Sequence, residues 1–355
     1  GMTSEANQIT SKQRVLHQGC GTAGTVGMLL LTAVIALVMS ACGSASGSSV
    51  PAAAGTGPVD GSADSKFCSA TVTNAFNACG KEVEDDYLIA FAKCINESDA
   101  NERAQCIADA DEARSEVRLE CGNQRVARQN VCTAVGEARY DPDFSPALFD
   151  SNFTALTNPN PYIPLDIGNT WQYANDDETV TIEVLNQTKL IEGVTCIVVN
   201  DRVDEDGDLV EDTNDWFAQA RNGDVYYCGE EVKDYEHFDG DNPRREELVS
   251  IDGAFKVGRD GDKPGILFFA APTVGKVYRL EFSLGNAEDI AEVLSTTYSV
   301  ASGADPDLDP FVPAALKSRF CLLPGDCVVT KDSSPLSPDA LERKYYAKGI
   351  GMFLE

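Results

Sequence analysis

Residues 193–227 read GVTCIVVNDRVDEDGDLVEDTNDWFAQARNGDVYY, and the period of this stretch decides the fold. Apolar and polar side chains alternate as in strands, and the runs break at Asp206-Gly207 and Asn222-Gly223, dipeptides that favour tight hairpin turns. Similar alternation marks Thr170-Trp171-Gln172-Tyr173 and Val180-Thr181-Ile182-Glu183-Val184, with weaker signals at 265–269, 277–282, 292–300, 319–330 and 342–354. About ten antiparallel strands with short loops over residues 165–355 predict one strongly curved sheet or a barrel-like domain. Residues 305–313 (DPDLDPFVP) read as a surface insertion. The two turns also set a register. Folding about Asp206-Gly207 puts Cys196 opposite Phe217, and folding about Asn222-Gly223 puts Phe217 opposite Cys228. The two cysteines then lie two strand spacings apart, about 9.5 Å, beyond the roughly 7 Å reach of a disulfide. No Cys196–Cys228 bond is therefore expected. Cys321–Cys327 is the expected local bridge, with a crosswise pairing of these four as the alternative.

Working outward, residues 67–135 lack proline and carry apolar or small side chains at helical spacing. One stripe is Cys68, Val72, Ala75, Cys79, Val83, Ala90 and Cys94; the other is Cys106, Ala110, Val117, Cys121 and Cys132. Asp99, with Glu102 three residues later, resembles a capping box for the second helix, and Gly136 is a suitable stop. The six cysteines are mirror-symmetric about residue 100, each matched pair of residue numbers adding to 200. An antiparallel hairpin turning there brings Cys68 level with Cys132, Cys79 with Cys121 and Cys94 with Cys106. Steps of 11 and 15 residues along the first helix overshoot whole turns by about 20° and 60°, so its cysteines share a stripe. Three nested disulfides are expected. Arg128 interrupts the second stripe opposite Val72, so its stem has to snorkel past the seam. The fold class is thus α+β: a disulfide-stapled helical hairpin (65–136), a proline- and asparagine-punctuated connector (137–164) and the antiparallel β domain.

The first 64 residues determine location. MLLLTAVIALVMSAC (28–42) is an uncharged apolar run, too short to span a bilayer comfortably, with Lys12 and Arg14 upstream. Met39-Ser40-Ala41-Cys42 resembles the lipobox of bacterial lipoproteins, in which the cysteine takes lipid and becomes the mature N-terminus. The reading is a signal peptide (1–41), lipidation at Cys42 and a flexible tether (42–64) with a reach of roughly 25 Å. Removing the leader takes the formal charge from −29 to −30. Such a field disfavours nucleic acid and leaves the lipid anchor as the contact with membrane. Of 12 cysteines, Cys20 leaves and Cys42 carries lipid; the remaining ten suit disulfides in an exported protein. His237 is the one histidine left after processing, and in its acidic setting it reads as an exposed bystander.

Further motifs fit a known pattern. Asn160-Pro161-Tyr162-Ile163-Pro164-Leu165, Gly168-Asn169-Thr170-Trp171-Gln172-Tyr173, Gly193-Val194-Thr195-Cys196, Asp201-Arg202-Val203, Asp206-Gly207, Glu211-Asp212-Thr213, Asp215-Trp216-Phe217-Ala218-Gln219, Tyr345-Tyr346-Ala347 and Gly349-Ile350-Gly351 occur in order. Together they resemble a family of exported bacterial envelope proteins of unknown function, over residues 160–355. The resemblance implies a β-rich envelope domain and no established activity. Cys228, Cys321 and the 305–313 insertion depart from it.

Two groups are candidate sites. The acidic run from Asp201 to Asp215 offers oxygen ligands, and Asp204, Asp206 and Asp208 are a weak Ca²⁺ candidate beside the reading of an acidic hairpin tip in water. Trp171, Tyr173, Phe217, Tyr226 and Tyr345 could line an apolar cavity or simply fill a core. No nucleophile elbow, P-loop or dinucleotide fingerprint is present. The expectation is a non-catalytic, lipid-anchored envelope protein binding an apolar or lipid-like ligand. The alternative is a structural or adhesive module that meets an envelope protein partner, and a carboxylate-dependent hydrolase is the third reading. An unfilled apolar interior would favour the first, and a filled core beneath an exposed surface groove the second.

Overall fold

The computed structural model describes residues 66–175, 177–300, 305 and 307–355. The leader, the tether and Cys42 lie outside the described residues. These form two compact units, 66–139 and 140–355.

The first unit is an antiparallel hairpin of α1 (Phe67–Ile95) and α2 (Ala100–Val135). Asp99 caps α2, accepting from the N–H groups of Asn101 at 2.8 Å and Glu102 at 3.0 Å. The reciprocal half of the box is filled differently: Glu97, not Glu102, accepts from the Asp99 N–H, at 3.1 Å. Gly136 closes the helix with φ 93°. The mirror arrangement of cysteines forms as expected. Cys68–Cys132, Cys79–Cys121 and Cys94–Cys106 are bonded, with Cα separations of 5.6, 5.9 and 5.5 Å. Arg128 is buried in the seam rather than snorkelling out of it.

The second unit holds two antiparallel sheets. The eight-stranded sheet runs β1 (Thr170–Ala174), β2 (Glu178–Ile191), β3 (Val194–Glu205), β4 (Asp208–Gln219), β5 (Val225–Glu231) and β8 (Gly265–Phe268), with β6 (Asp234–His237) paired to β4 and β7 (Glu246–Ser250) paired to β6. The five-stranded sheet runs β13 (Gly351–Leu354), β12 (Ser337–Ala347), β11 (Cys327–Ser334), β10 (Ile290–Tyr298) and β9 (Val277–Arg279). Neither closes, so the barrel-like expectation is corrected to two open sheets. The reason lies in β3–β5, which bury side chains on both faces. Cys196, Val198, Trp216 and Ala218 belong to one core cluster; Ile197, Val199, Phe217 and Tyr227 belong to another. Closure around one lumen would leave one of these sets without cover. Phe149 and Phe153 of the connector cover the two clusters, one each. The two sheets meet through Ile266 and Phe268 on one side and Val293, Val328 and Tyr346 on the other. The 305–313 insertion is not purely superficial, because Leu308 and Val312 are buried with Tyr345.

The local register overturns one expectation. The hairpin at Asp206-Gly207 forms, with Glu205 opposite Asp208, but a bulge at Val210 moves the ladder by one, so that Ile197 and not Cys196 faces Phe217. The second turn is a three-residue loop: the Ala220 N–H donates to Asp224 O at 2.8 Å, and Gly223 takes φ 96°. Phe217 consequently faces Tyr227, and a second bulge leaves Cys228 as an extra residue before Gly229. Both cysteines now lie on the Trp216 face, 6.7 Å apart at Cα, and they are disulfide-bonded. The ideal spacing of about 9.5 Å fails because bulges bend and twist the strands that carry them. Cys321–Cys327 forms as expected.

Candidate functional site

The five aromatic candidates do not form one group: Trp171 packs against the core cluster that holds Phe217, while Tyr226 and Tyr345 belong to others. The Trp171 indole N–H donates to Ile350 O at 2.7 Å and the Tyr173 hydroxyl to Met352 O at 2.8 Å, pinning β1 to the last turn and strand. Phe217 packs against Tyr227 at 4.9 Å between ring centroids, Tyr226 against Phe149 at 5.0 Å, and Tyr345 against Tyr298 at 5.6 Å. Phe217, Tyr226 and Tyr345 thus fill separate parts of the interior, each ring meeting another in a tilted or edge-on contact.

Two acids of the hairpin tip are paired with arginines. Arg202 Nε donates to Asp204 Oδ2 at 2.9 Å, and Arg244 Nη2 to Asp208 Oδ2 at 2.6 Å. Asp206 sits in the turn itself with φ 50°. Among the described residues no group of three or more histidine, cysteine or acidic side chains is placed to hold a metal ion, and of the Asp204, Asp206 and Asp208 candidate the first and last are each taken up by an arginine. His237 is also not the expected exposed bystander. Its side chain is only 11% exposed, with Nε2 3.9 Å from both Asp208 and Glu246.

The surface feature that sequence reading missed is the flap made by β6 and β7. β6 is tied to β4 by the Glu211–Asp234 pair and by the Asp212 N–H donating to Lys233 O at 2.9 Å. Across the flap, His237 faces Glu246, Glu236 faces Glu247 and Tyr235 faces Leu248, with Val249 as an extra residue. Residues 246–249 are all exposed. Leu248 at 56%, Val249 at 39% and Ile251 at 61% put apolar side chains in water. The stretch EELVS has too few apolar residues to stand out as a strand, and its pairing with β6 is the signal that was unreadable.

Beneath the sheet surface lies a buried acid cluster. Asp215 and Glu230 are directly opposite on β4 and β5. The Tyr227 hydroxyl lies within hydrogen-bond reach of both, at 2.9 Å from Glu230 Oε2. Burial, then the nearby Glu281 and Asp215, push the Glu230 carboxyl well above its ordinary range, against the hydrogen bond from Tyr227. One hydroxyl proton cannot be donated to two carboxylates at once, so a retained proton on the Glu230 carboxyl satisfies the set. In the other sheet, Lys344 lies 3.2 Å from Asp332 and 3.0 Å from Glu342. Burial pulls its ammonium down, but Glu355, Asp332 and Glu342 outweigh it and hold the charge. Among the described residues no helix is long and apolar enough to cross a membrane. No family model, curated protein or solved structure matches the chain.

Proposed function

We propose that the chain is a non-catalytic, lipid-anchored envelope protein whose β unit presents an interaction surface to another envelope protein. The carrying observation is that Phe217, Tyr226 and Tyr345 are each spent on ring-to-ring packing in separate core clusters. That supports an interaction module over a lipid-binding cavity. The anchor rests on the Met39-Ser40-Ala41-Cys42 motif and the apolar run before it. The covalently stapled hairpin fits a spacer between the tether and the β unit, since its seam of Ala, Val and Cys offers little for chemistry. Photoreactive side chains placed at a panel of exposed β-unit positions in the living host test the reading. Discrete protein adducts from some of these positions are expected, and absence of adducts from all of them would contradict it.

A further inference from the structure

The geometry points to β7 as the docking edge for an extended, base-bearing segment of a partner protein, which joins the sheet as an added strand. This inference rests on the interaction-module reading and names the partner's chemistry.

Among the described residues β7 has one strand partner, β6, and its residues 246–249 are exposed. A strand in that position presents a row of N–H and C=O groups that another extended chain can pair with. Edges are usually blunted by short length, bulges, proline or charged side chains, lysine above all, and the charges on this short, bulged strand are the two acids Glu246 and Glu247. It carries no lysine or proline, so its charge repels acids and admits bases, and it places Leu248 and Val249 in water.

Charge selects the occupant. Glu236 and Glu247 face each other across the flap at exposed positions, and like charges directly opposite are destabilising. A lysine or arginine on a strand beside β7, level with Glu247, would offset that repulsion. A second copy of this chain would instead bring its own Glu246 and Glu247 to the same edge. The neighbouring position, Leu248, lies on the other face with Tyr235. The fitting segment therefore alternates basic with apolar residues.

Hydrogen exchange and fluorescence anisotropy on the full chain, titrated with a short peptide of alternating lysine and valine, test this. Expected is protection of the 246–250 amides, with affinity lowered about tenfold by Glu247→Lys. A peptide of equal charge with central valines replaced by proline should bind about tenfold more weakly, because it cannot complete the ladder. Equal binding of the proline peptide, protection on another strand, or dimers formed through β7 would each overturn the proposal. Adducts in living cells from other exposed positions would then leave the interaction-module reading standing, whereas their absence would end both.

Discussion

Tyr227 has one hydroxyl proton and two carboxyl groups within reach of it, and the proton count gives Glu230 a measurable signature. The unfolded chain releases the Glu230 proton near the ordinary value of about 4.3. The folded chain retains it to a higher pH, with Asp215, Glu281 and Glu211 as the facing acids. Above the ordinary value the folded state thus binds more protons, and stability falls as pH rises until the raised value is passed. Glu230→Gln imitates the protonated side chain and removes this dependence. Its stability relative to wild type should rise between about pH 5 and pH 8, measured by urea unfolding. A difference that stays constant across that range would refute the retained proton. A second residue prediction concerns Gly265, where a Cβ would lie 1.6 Å from Leu280 O. Gly265→Ala should destabilise the β unit by about 3 kcal/mol or more, or abolish its folding, as read by thermal unfolding. Neither feature was legible in sequence. An acid three places from a tyrosine does not announce burial, and a close backbone approach depends on partners far along the chain.

The helical hairpin shows an element that was readable almost throughout. Mirror spacing of six cysteines suffices because helix rise per residue is constant, so equal numbers of residues on each arm keep pairs level. The β meander was readable only in outline. Asn222-Gly223 suits a two-residue and a three-residue turn alike, and nothing in the alternation marks Val210 or Cys228 as an extra residue. Two such slips were enough to bring Cys196 and Cys228 together. Because the hairpin's buried side chains, Arg128 apart, are few and small, its helices are expected to depend on covalent closure. Reductant should therefore lower the helical circular dichroism of the unit, and loss of Cys79–Cys121 through paired alanine substitutions should cost about 2–4 kcal/mol. Asp99→Ala should cost about 1 kcal/mol through the lost cap. Full helicity after complete reduction would contradict the dependence on staples.

At the scale of the whole molecule, a lipid site, a tether, a stapled hairpin and a β unit with filled cores compose one proposal: an anchored protein that works by contact rather than by enclosing a ligand. The formal charge of −29 favours basic partners and keeps copies apart. The proposed compartment rests on sequence alone, because signals for export and lipidation are short contiguous motifs. The edge proposed for docking was not legible, since it arises where β7 pairs with β6 and, among the described residues, with no other strand. The central claim is tested most directly by native mass spectrometry of the protein taken from the membranes of its own host. The account predicts a chain beginning at an acylated Cys42, carrying the five disulfides and no additional lipid. A retained leader, an unmodified Cys42, or a non-covalent lipid released on collisional activation would contradict it.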